Sequence, residues 1–74
     1  MKQLFSRQFK LSLEKTYNGR LPSLAVIARD LSLKSTHLPH VSNEAVRKWL
    51  RGLAIPQSPR MQTLVDWLGE EVLE

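Results

Sequence analysis

The chain has 74 residues, no cysteine and a formal net charge of +4. One domain over residues 1–74 is all that length allows, and it buries only about 60% of its unfolded surface, so helical packing or dimerisation must supply what size does not. Disulfides and thiolate metal sites are excluded, and no apolar run nears the ~20 residues that span a bilayer.

The opening stretch Met1-Lys2-Gln3-Leu4-Phe5-Ser6-Arg7 lacks the apolar run of a secretion signal, so a cytoplasmic protein is expected. Phe5, Phe9, Leu13 and Tyr17 then recur every fourth residue, predicting a first helix over about 6–17 that ends at Asn18-Gly19, with Leu11 off its apolar face. A second helix opens after Pro22-Ser23. Its stripe is Leu24, Ile27, Ala28 and Leu31, and Arg29 and Asp30 point away from it.

Residues 32–41 hold Pro39 and several Ser/Thr residues, which oppose a continuous helix, yet also Leu33, Leu38 and Val41, which oppose a purely solvated loop. A folded-back loop with at most one helical turn is expected. His37 and His40 flank a proline without the four ligands that zinc wants, so an exposed pair is expected and no metal.

The third helix, 43–51, is the most informative. At ~100° per residue, Val46, Trp49, Leu50 and Leu53 fall on one side, while Asn43, Glu44, Arg47, Lys48 and Arg51 spread over the other. Ser42 stands where its hydroxyl can cap the first turn, and Gly52 can supply the left-handed residue that ends it. Trp49 belongs to the core. Such a polar face suits an acidic groove, DNA foremost.

After Ala54-Ile55-Pro56-Gln57, the pair Ser58-Pro59 reads as an N-cap followed by proline at the first helical position. Met61, Leu64, Val65 and Leu68 form the last stripe, closed by Gly69. Trp67 sits at the edge of that stripe, as core rim or oligomer contact. Residues 70–74 are a short acidic tail whose Val72 and Leu73 could join Trp67 in a homodimer seam. The tail sets the charge balance. Residues 1–65 carry all 11 cations and three of the seven acids, a balance of +8, which favours phosphate through counterion release. Strand-like alternation is absent, so the expected class is all-α, a compact four- to five-helix bundle.

Three segments in order carry a resemblance: Leu24-Ala25-Val26-Ile27-Ala28-Arg29-Asp30-Leu31, Val46-Arg47-Lys48-Trp49-Leu50-Arg51-Gly52, and the stretch from Pro56 through Met61 to Leu68-Gly69. Over residues 13–69 the chain resembles the phage-repressor-like helix-turn-helix domains of the lambda repressor and Cro superfamily. The resemblance implies sequence-specific binding of double-stranded DNA by a small transcriptional regulator, with helix 43–51 in the major groove. It places Asn43, Glu44, Ala45, Arg47 and Lys48 at base-facing positions.

The chemistry of these side chains agrees. Asn pairs with adenine, Arg and Lys with guanine, Glu accepts from cytosine, and Ala touches a thymine methyl. Ser23, Ser42, Arg51 and Lys34 suit phosphate contacts, the serines because they stand at helix N-termini, which attract anions. Two features depart from the family: Leu24 stands where a glutamine usually holds a phosphate, and residues 32–41 fill a turn normally three or four residues long. That insertion either adds backbone contacts or shields the recognition helix. Both departures favour a rival role as a protein-interaction module, a small antitoxin or adaptor without DNA binding. Catalysis has no support, since neither a nucleophile elbow nor a phosphate-cradling glycine loop is present, and no cofactor is implied.

Overall fold

Four-residue spacing of aromatic and aliphatic side chains builds the first helix and points it at the core. The computed structural model of the chain describes residues 2–73, so Met1 and Glu74, the ends of the expected domain and tail, lie outside it. Helix α1 spans Lys2–Thr16, four residues earlier at its start than the spacing predicts, and buries Phe5, Phe9 and Leu13. Phe5 and Phe9 stack with centroids 5.4 Å apart. Asn18, at φ 62°, ends the helix: its N–H reaches Lys15 O, and that of Gly19 reaches Glu14 O at 2.6 Å, which satisfies two of the last helical carbonyls.

Helix α2, Leu24–Lys34, starts under Ser23, whose hydroxyl accepts from the Val26 N–H at 3.3 Å. It runs through Ser32, where a loop was expected. Ser32 is buried. Its hydroxyl donates to Ala28 O at 2.8 Å and accepts from the Val41 N–H at 2.9 Å, so the residue completes one turn while fastening the loop that returns beside it. Ser35 is likewise buried and donates to the Thr63 hydroxyl, which in turn donates to Pro59 O. The inter-helix loop is therefore residues 35–42, and Lys34 is the last residue of α2 rather than part of that loop.

Helix α3 spans Asn43–Leu50 and α4 spans Ser58–Leu68. The cap of α4 is Gln57, not Ser58, and makes no side-chain cap bond, because the helix begins one residue before its proline. Leu53, expected beside Val46 and Trp49, is 56% exposed. Gly52, at φ 72°, turns the chain outward just before it. Beyond Gly69 (φ 98°) the acidic tail closes as a 3-10 turn, Glu70–Leu73.

Helix α1 packs on α3, α4 and this turn, and α2 packs on α3 and α4. One core results: Phe5, Phe9, Leu13, Ile27, Ala28, Leu31, Val46, Trp49, Leu64 and Val72. Val72 is fully buried inside its own chain, so it is unavailable for the expected seam between copies. Trp67 is half-buried, its ring edge-on to Tyr17 at 6.1 Å. The described residues are all-helical without a strand, and no described helix is long and apolar enough to cross a membrane.

Candidate nucleic-acid interface

Helix α3 is held at both ends and along one side. At its start the Ser42 hydroxyl accepts from the Ala45 N–H at 3.0 Å. At its end the Gly52 N–H reaches Trp49 O at 3.3 Å and the Leu53 N–H reaches Lys48 O at 2.9 Å, a pairing that needs the left-handed Gly52. Its inner side buries Val46 and Trp49, and the Trp49 ring meets Phe9 edge-to-face at 6.2 Å and 71°. The Ser6 hydroxyl of α1 donates to Leu50 O, adding a polar tie between the two helices. Contacts from Ser6 and Phe9 of α1 thus help set the direction in which an eight-residue helix shows its outer face.

Asn43, Glu44, Lys48 and Arg51 are exposed along that face, and Ala45 and Arg47 are half-buried at its margins. The side chains of Asn43, Lys48 and Arg51 make no hydrogen bond or ion pair among the described residues. Arg47 is engaged differently. Its Nε donates to Glu44 Oε1 at 2.9 Å and its Nη2 to Glu44 Oε2, a two-pronged pair one turn apart. Hydrogen bonding from Arg47 holds the Glu44 carboxyl below its ordinary range, and the same bonds raise the Arg47 guanidinium. Two of the five expected base readers therefore satisfy each other in the free protein. That pairing is local, at i,i+3, and legible in the spacing.

Residues 35–41 of the loop are tied to α2 and α4. Besides the Ser32 and Ser35 bonds, Arg60 of α4 donates through Nη2 to Pro39 O. Leu38 and Pro39 join Trp49, Gln57, Pro59 and Arg60 around a groove of about 280 Å³, on the side of α3 that carries Trp49. Arg60, 21 residues from its carbonyl partner, is the tie that no local pattern announces.

Of the expected phosphate contacts, Ser42 and Arg51 flank α3, and Ser23 caps α2 and is exposed. Lys34 lies elsewhere, in a groove of about 280 Å³ with Ser35, His37, Thr63, Asp66 and Trp67, none of which is on α3. His37 and His40 are exposed, and the described residues contain no group of three or more metal-ligating side chains. No family model, curated protein or solved structure matches the chain.

Proposed function

We propose that this chain is a cytoplasmic, non-enzymatic DNA-binding protein of the phage-repressor-like helix-turn-helix kind, a small regulator that lays α3 in the major groove of a duplex. The observation that carries this reading is the outer face of α3: Asn43, Lys48 and Arg51 stand exposed and unpaired among the described residues, while Val46 and Trp49 lock the opposite side. A rigid helix with free amide and cationic groups is what base edges and phosphates require.

Asn43, Ala45 and Lys48 read bases directly. Arg47 joins them once a guanine or phosphate competes it away from Glu44, and Glu44 is then free to accept from a cytosine amino group. Arg51 and the hydroxyls of Ser42 and Ser23 contact phosphate, with the helix N-termini adding partial positive charge. The basic balance of residues 1–65 supplies the sequence-independent share of affinity.

The Glu44–Arg47 pair favours a second reading, in which the same face grips a protein and leaves duplexes alone. Duplex titration across salt separates the two. DNA binding predicts an affinity that falls steeply between about 50 and 200 mM salt, a smaller slope for Arg51→Ala than for Lys10→Ala at an exposed position of α1, and a larger loss of affinity and specificity for Lys48→Ala than for Lys10→Ala. No duplex affinity at low salt, or equal losses for the three variants, removes the DNA reading.

A further inference from the structure

We infer that Glu44 is a specificity-determining residue that acts through Arg47: it holds the guanidinium off the phosphate backbone and keeps it for a G·C base pair. The inference rests on α3 being the reading helix and adds what the Glu44–Arg47 pair does there.

Helix α3 and its C-cap carry three cations, Arg47, Lys48 and Arg51. Two of them are spaced to pair with Glu44, Arg47 at i,i+3 and Lys48 at i,i+4. The carboxylate gives both oxygens to Arg47, Oε1 to Nε at 2.9 Å and Oε2 to Nη2. Lys48 is left without an ion pair among the described residues. The result is a fork of two parallel N–H···O bonds. An arginine reads the O6 and N7 of guanine with the same kind of fork, so a fully read guanine takes Arg47 from Glu44.

What replaces the pair decides which sites open it. At a phosphate Arg47 gains an anion, but Glu44 loses both bonds and is left beside a like charge. At a G·C pair both residues are compensated on one edge. Guanine O6 and N7 accept from Arg47, and the cytosine amino group donates to Glu44. At an A·T pair the adenine amino group can donate to Glu44, but no base offers the fork two adjacent acceptors.

Exposure keeps this latch light. The Glu44 side chain is 58% exposed and that of Arg47 35%, and a pair so exposed shifts an equilibrium by about fivefold at most. A matched base pair therefore opens it, while every unmatched site meets a partly masked α3.

Titrations of the full chain at one salt concentration test this, with a duplex selected from a random pool as the matched site and poly(dA-dT) as the unmatched one. Glu44→Gln keeps the shape and loses the charge. It is expected to bind poly(dA-dT) about two- to fivefold tighter and the matched duplex no tighter. In an Arg47→Ala background the same change should bring less than half of that gain, because no guanidinium is left to release. The selected sites should hold a G·C position that wild type requires and Glu44→Gln tolerates as A·T. A wild-type chain that binds neither duplex removes the reading of α3 and this inference with it. Wild-type binding that discriminates, with an equal Glu44→Gln gain in both backgrounds or an unchanged ratio between the duplexes, removes this inference alone.

Discussion

Replacing Trp49 by alanine strikes the joint between the core and the outer face of α3. The side chain is 8% exposed and its ring meets Phe9 edge-to-face at 6.2 Å. Truncating a buried large aromatic costs ~3–5 kcal/mol, of which the ring pair accounts for ~0.5–1.5 kcal/mol. A 74-residue chain has about 4–11 kcal/mol in all, at 0.05–0.15 kcal/mol per residue. The substitution therefore removes between about a quarter and the whole of the stability. With a urea slope of about 1 kcal/mol/M for so small a domain, the midpoint should fall by about 3 M or more. Urea melts of wild type, Trp49→Ala and Trp49→Phe at one fixed protein concentration measure this, so that differences in concentration do not add to the comparison. Trp49→Phe keeps a ring against Phe9 and should lose markedly less. A Trp49→Ala midpoint within about 1 M of wild type would refute the claim that this ring anchors α3.

Three further outcomes follow from named contacts. Ser32→Ala leaves the Val41 N–H without its acceptor, so it should cost ~1–3 kcal/mol and speed hydrogen exchange at Val41; unchanged exchange there contradicts the loop tie. Asp30 accepts from the Tyr17 hydroxyl at 2.5 Å, and that bond above all holds its carboxyl below the ordinary value of 3.8, so stability present above pH 3.8 should drain away as pH falls through the lowered value. Burial first, then the bond to Asp30, raises the Tyr17 phenol above its ordinary 10.0, so stability should also decline as pH rises beyond 10.0 towards the raised value. Tyr17→Phe should flatten both limbs of the stability–pH curve, and a wild-type-like curve would deny the pair its role. Glu44→Ala releases Arg47 and removes an acid from the reading face, so the slope of log affinity against log salt should steepen by about 0.9 for the one phosphate gained. A shallower slope would mean that Glu44 instead positions Arg47.

What the sequence disclosed and what it hid divide by range. Helix α3 was legible from Ser42 to Gly52 because cap, stripe and left-handed terminus all act within a few residues of one another. The stripes of α1 and α4 were legible for the same reason, as was the closing pair Asn18-Gly19. The end of α2 was not. Ser32 and Ser35 look like loop formers because short hydroxyl side chains compete for backbone bonds, and only their distant partners, Val41 and Thr63, make them interior residues. Val72 looked like part of a loose acidic tail, yet it fills a core place against α1 from the far end of the chain. Leu53 followed the helical period past Gly52, where the period had already stopped. In the candidate interface, residue types and positions were readable. The Glu44–Arg47 pair was open to the i,i+3 spacing, whereas the placing of Lys34 in a groove without α3 residues needed the side-chain geometry.

Amide shifts of the labelled chain during titration with a pool of random duplexes at low salt test the reading of α3 most directly. The account predicts that the largest movements fall on residues 42–48 and at Arg51, with smaller ones at Ser23, while the Lys34 and Trp67 groove stays still. Spectra that do not move, or movements centred on residues 35–41 with α3 silent, would contradict it.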